Sequence, residues 1–115
     1  MASKNESEKA LMGWLWFAAA TVVIGAIMLY PIGTPVANVA FLLVKAGMLA
    51  GIVWLMRSKS KAAWNLWATF SALAVVMTLI KWQLAGSFSW TFALAMATDV
   101  IVPAIGRHLL NKAAA

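Results

Sequence analysis

Four apolar stretches, each about as long as a helix must be to cross a bilayer, are separated by short polar turns and leave this chain few architectures. A hydrocarbon core about 30 Å thick takes about 20 apolar residues in helical form. The stretches run from Ala10 to Tyr30, Val36 to Met56, Ala62 to Ile80 and Phe88 to Leu110. Only Lys45 and Asp99 are ionisable deep inside them, with Arg107 near the end of the fourth. Of the 115 residues, 64% are hydrophobic and 10% charged. A soluble domain carries about 45–50% apolar and about 25% charged residues, and one this small buries at most about two thirds of its surface. A water-soluble globule is therefore excluded, and the polar tracts that disorder needs are missing. The expected fold is all-α: an integral membrane four-helix bundle of up-down topology, one domain over residues 10–112 behind a polar tail, 1–9.

The turns support this order. Pro31-Ile32-Gly33-Thr34-Pro35 disfavours continued helix, Trp82 to Ser87 contains Gly86, and Arg57-Ser58-Lys59-Ser60-Lys61 is a compact basic loop. Short connections make consecutive helices antiparallel neighbours. The first apolar run exceeds a cleavable signal core of about 7–15 residues and reads as a retained helix.

Basic residues near span ends set orientation. Lys4, Lys9, Arg57, Lys59, Lys61, Arg107 and Lys112 fall on one side, and only Lys81 flanks the other. Both termini are thus expected in the cytoplasm, with the bacterial inner membrane as the expected location. The net charge of +6 reads as topology plus attraction to anionic lipid head groups. Nucleic acid is not an expected partner, because the basic residues are spread over three short segments. Trp14, Trp16, Trp54, Trp64 and Trp67 near the inner ends, and Tyr30, Trp82 and Trp90 near the outer ends, read as interfacial belts.

Lys45 and Asp99 carry the functional expectation. Counted from the outer ends of their helices, they lie about 14 Å and about 16 Å deep at 1.5 Å per residue. Each alone would cost about 2.5–3.5 kcal/mol at the centre of a span. Equal depth and opposite sign predict that they pair, with the second and fourth helices adjacent. Asn38 shares the face of Lys45. Gly47 and Gly51 form a GxxxG step on roughly the opposite face, which predicts helix packing and a central position or a dimer contact. Pro103, four residues after Asp99, removes the N–H that would bond the Asp99 carbonyl, and Ser71 and Thr78 on the third helix are the nearest polar helpers. His108 reads as interfacial.

Catalytic sets are missing. There is no histidine near an acid at mid-membrane, no paired carboxylate, no HExxH and no phosphate-cradling loop. Cysteine is absent and histidine occurs once, so no cofactor or metal is expected, and the chain is not expected to be an enzyme. Small multidrug transporters share the length and span number. They need an embedded acid in the first helix, which Ala10–Tyr30 lacks, so the likeness stops at length. The leading expectation is a small transport or permeation protein for a proton, ion or small solute, acting as a homo-oligomer. The alternative is a non-enzymatic accessory or structural subunit beside a membrane-protein partner, in which the pair only fixes helix register. A holin or immunity protein fits size and charge without a positive motif.

Overall fold

The computed structural model describes residues 4–30, 33–87 and 89–114. Pro31 and Ile32 of the first turn, and Phe88, where the fourth span is expected to begin, lie outside the described residues. The fold is a four-helix bundle: α1 (Lys4–Leu29), α2 (Pro35–Ser58), α3 (Lys61–Ala85) and α4 (Trp90–Ala114). Helices of 24–26 residues are about 36–39 Å long at 1.5 Å per residue. All four are long and apolar enough to cross a membrane, with mean hydropathies of 2.0, 2.2, 1.6 and 1.3 over their most apolar windows.

Local chemistry fixes the ends. Thr34 caps α2 by accepting from the Ala37 amide at 3.2 Å, with Pro35 in the first turn. Ser60 caps α3 in the same way through the Ala63 amide. Lys59 closes α2 in the left-handed region, at φ 50°, and Gly86 closes α3 at φ 76°. The basic loop thereby contracts to Lys59-Ser60, because both flanking helices continue beyond their apolar windows. At the other end α1 begins at Lys4, six residues before the expected span. Glu6 there sits in the first turn, where a carboxylate favours the helix dipole. Two residues further on, the Glu8 carboxylate lies 3.3 Å from the Lys59 ammonium.

Each helix packs on its chain neighbours, most extensively α2 on α3, and α1 closes the ring against α4. The expected adjacency of the second and fourth helices is not found: α2 and α4 face each other across the bundle. Inward residues recur every three or four positions, as in Phe41, Lys45, Met48, Ile52 and Leu55 of α2. They form a larger apolar cluster around Leu15, Met48, Ile52, Leu55 and Trp67 and a smaller one of Leu29, Phe41 and Phe92. Outside the bundle, Val36, Ile27, Leu43 and Leu94 are more than 60% exposed, which suits a lipid solvent and not water.

The GxxxG face is occupied within the chain rather than left for a second copy. A Cβ on Gly51 would stand 2.6 Å from the Trp67 backbone nitrogen, and one on Gly47 would stand 2.5 Å from the Phe70 ring. Gly106 of α4 meets the far edge of the Trp67 ring, with its own added Cβ 2.7 Å away. Trp67, 1% exposed, is therefore clasped by glycines from two helices. The belt position expected for it is overturned, because its indole fills the interior that these glycines open.

Gly51→Ala forces backbone apart and is expected to lower stability by about 1–3 kcal/mol, the usual range for overpacking. Gly13→Ala, whose Cβ meets nothing within 4 Å, serves as the control and should be neutral or stabilising. Thermal melting in detergent checks both; equal midpoints for the two variants would contradict the close α2–α3 contact.

Candidate functional site

The inward stripes of α2 and α4 carry Lys45 and Asp99 into the region between the two apolar clusters. Lys45 Nζ lies 3.6 Å from Asp99 Oδ1, and both side chains are 5% exposed. The long lysine spans the diagonal, which is why the pair forms without helix adjacency. Gly25 on α1 leaves room for it: an added Cβ there would stand 3.4 Å from Nζ. At 3.6 Å the contact is looser than a charge-assisted hydrogen bond of about 2.7–2.9 Å. The second carboxylate oxygen, Oδ2, is buried without a hydrogen-bond partner, and so is Ser71 Oγ. Buried polar atoms of this kind are uncommon and costly, by about 1–3 kcal/mol or more for charged groups.

Asn38 does not join this pair. Its Oδ1 accepts from Lys81 Nζ at 2.6 Å, linking α2 to α3. Lys81, expected as an outer flank, is fully enclosed. The Phe41 ring lies near both ammonium groups, 4.8 Å from Lys81 Nζ and 5.3 Å from Lys45 Nζ to its centroid. Each contact has the geometry of a cation–π interaction. The charged layer thus holds two lysines and one aspartate. A sequence signal for Lys81 existed. Ala63, Trp67, Ser71, Ala74, Thr78 and Lys81 continue one stripe at helical spacing, and that stripe faces inward throughout.

Pro103 lies inside α4, which runs through it as one helix. The indole of Trp14 on α1 donates to the Val102 carbonyl, and the indole of Trp64 on α3 donates to the Pro103 carbonyl, each at 2.9 Å. These two tryptophans were expected to reach water at an interface. They instead anchor the α4 backbone from both sides, because an indole N–H inside the bundle needs an acceptor. Arg107 lies over the Trp64 ring, 4.8 Å from guanidinium carbon to centroid. Ser71, proposed as a partner for the backbone at Pro103, remains unpartnered at its hydroxyl. Thr78 bonds to the Ala74 carbonyl within its own helix.

Two cavities flank Asp99. One, of about 200 Å³, lies between α1 and α4 and is lined by Thr21, Gly25, Leu29, Lys45, Thr98 and Asp99 among others. It extends along α4 towards Thr91. The other, of about 220 Å³, lies between α3 and α4 and extends from Asp99 past Ser71 to Trp64, Pro103 and Ala104. Asp99 lines both. The cavities lie on opposite flanks of α4 and run from this residue towards opposite helix ends.

No family model, curated protein or solved structure matches this chain. Among the described residues, no group of three His, Cys, Asp or Glu side chains is placed to hold a metal ion.

Asn38→Leu removes an acceptor from an enclosed ammonium and is expected to cost about 1.5–3 kcal/mol, the range for hydrogen bonds to charged groups. Lys81→Met in the same background should restore part of that loss. A double-mutant cycle read by thermal unfolding tests the link; additive effects would show that the two side chains are not coupled.

Proposed function

We propose that this protein is a small membrane transport or permeation protein in which Asp99 is the binding carboxylate and Lys45 its internal counter-cation. The observation that carries this reading is the position of Asp99 between two cavities that run towards opposite ends of α4. A carboxylate shared by two cavities can meet a proton, ion or small solute from either side. Its loose contact with Lys45 and its unpartnered oxygen leave it able to exchange one cation for another. When a proton or solute neutralises Asp99, the lysine loses its partner, and α4 shifts between two packings around the Pro103 segment.

The helices are proposed to run up and down through a bacterial inner membrane, with both termini cytoplasmic. Contacts support the antiparallel order. Gly47 meets Phe70, Gly51 meets Trp67 and Asn38 meets Lys81, so numbers rise on α2 as they fall on α3. The same holds for Trp14 with Val102 and for Thr21 to Leu29 with Thr91 to Asp99. The basic side, with Arg57, Lys59, Lys61, Arg107 and Lys112, marks the cytoplasm. The bundle measures 23 by 17 Å across its two shorter extents, which leaves little cross-section for a pathway. The reading therefore includes a homo-oligomer whose copies line it together.

A second reading has its own support. The pair joins helices that are not neighbours, as a pin for bundle register would, and this suits an accessory subunit of a larger membrane complex. Exchanging the charges, Lys45→Asp with Asp99→Lys, separates the two: a register pin tolerates the swap, and transport does not.

The direct test is proton or ion flux into vesicles containing the purified protein. Asp99→Asn is expected to abolish flux above the protein-free leak, and Lys45→Met to change its rate at least severalfold. Wild-type flux in both variants would refute the mechanism.

A further inference from the structure

The cavity between α1 and α4 has a chemistry of its own. Its walls include Ile24, Met28, Leu29, Leu94 and Ala95, and its polar lining residues are Thr21, Lys45, Thr91, Thr98 and Asp99. The hydroxyls of Thr21 and Thr98 both line it, and both spend their single proton on their own helix, on the Ala18 carbonyl at 2.7 Å and the Leu94 carbonyl at 2.7 Å. Each hydroxyl oxygen therefore offers the cavity acceptor lone pairs only. Asp99, 6% exposed, adds a carboxylate whose Oδ2 has no partner. The donors in the lining are the Lys45 ammonium, which faces the other carboxylate oxygen, and the Thr91 hydroxyl further along α4. Acceptors thus outnumber donors, beside an apolar chamber. Ile24, Met28 and Leu94 are each more than half exposed on the bundle exterior, so the rim of the cavity is continuous with the surface that lipid would cover.

We propose that this cavity binds a protonated primary amine carried on a small apolar body, with its ammonium on Asp99 and the threonine oxygens and its body against the α1 and α4 walls. The inference rests on the transport reading and names its substrate class. An apolar cavity of about 150 Å³ takes a benzene ring, so about 200 Å³ accommodates a ring bearing one aminomethyl group. The amine supplies the donors that Oδ2 lacks and competes with Lys45 for the same carboxylate. A neutral ligand of equal shape leaves the carboxylate as it is. An anion meets Asp99 and two acceptor oxygens against a single ammonium. Entry is from the apolar side, where an amphiphilic amine concentrates.

The probes are 4-fluorobenzylammonium, 4-fluorobenzyl alcohol and 4-fluorobenzoate, followed by ¹⁹F NMR line broadening against purified protein in detergent, with empty micelles as the blank. Saturable, protein-dependent broadening is expected for the ammonium probe alone. Asp99→Asn should weaken it at least tenfold and Thr98→Val severalfold, whereas Lys45→Met should tighten it by removing the internal competitor. Ala95→Leu, which fills the chamber without touching a charge, should abolish binding while the melting temperature holds, and so serves if Lys45→Met does not fold. Equal binding of the alcohol, preference for the benzoate, or an unaffected Asp99→Asn or Ala95→Leu variant would each overturn the assignment. Asp99-dependent proton flux without ammonium binding would remove the substrate class and leave the transport reading standing. Ammonium binding with Asp99-independent flux would do the reverse.

Discussion

Buried between the two apolar clusters, Lys45 and Asp99 bring opposite charges within reach of one another, and the bundle interior is arranged around that distance. The lysine extends across the diagonal from α2 to α4 and brings its ammonium within 3.6 Å of the carboxylate. Around it the core separates into a larger apolar cluster and a smaller one. Gly25 on α1 keeps the path of the ammonium open. The pairing is close enough to offset much of the desolvation of each charge and loose enough to leave one carboxylate oxygen without a partner. A charge layer with an unsatisfied acceptor and a cavity on either side differs from a closed structural pair, in which every lone pair would be filled.

The rest of the interior holds α4 in place around this layer. Trp14 and Trp64 donate to consecutive carbonyls of α4, from α1 and α3 respectively. They are 50 positions apart in the chain, nearly the separation of Lys45 and Asp99, 54 positions. Each of the two tryptophans sits on the first helix of its hairpin, and each of the two charges on the second. Trp67 works differently: Gly51 and Gly106 make the space for its ring, so α2, α3 and α4 are keyed together by one side chain. The second lysine, Lys81, is stabilised by Asn38 and the Phe41 ring and joins α2 to α3.

Much of the fold was legible because the bilayer is a severe solvent. Apolar runs of helical span length have few alternatives, since every backbone N–H and C=O in hydrocarbon must be satisfied within the segment. Pro35, Gly86, Thr34 and Ser60 mark helix ends for local reasons, so their places could be read from residue type. Lys45 and Asp99 could be matched because depth follows from counting at a fixed rise. Lys81 and Trp67 were harder to place. Near a helix end, a lysine or tryptophan is at home either in the interface or, given a partner, inside. Residue type does not choose between these, whereas the stripe running from Ala63 to Lys81 does. The GxxxG step likewise shows that something packs closely on α2, and leaves open whether that something is another copy or α3.

The sequence by itself determined four apolar helices, their caps and turns, and two opposite charges at one level, because each of these follows from local propensity or from the cost of burying charge. Tertiary structure decided which helices touch, that α2 and α4 lie across a diagonal, that α3 fills the glycine face, and that Asp99 stands between two cavities. These depend on how side-chain volumes interlock among four helices at once, and no local segment of the chain carries that information.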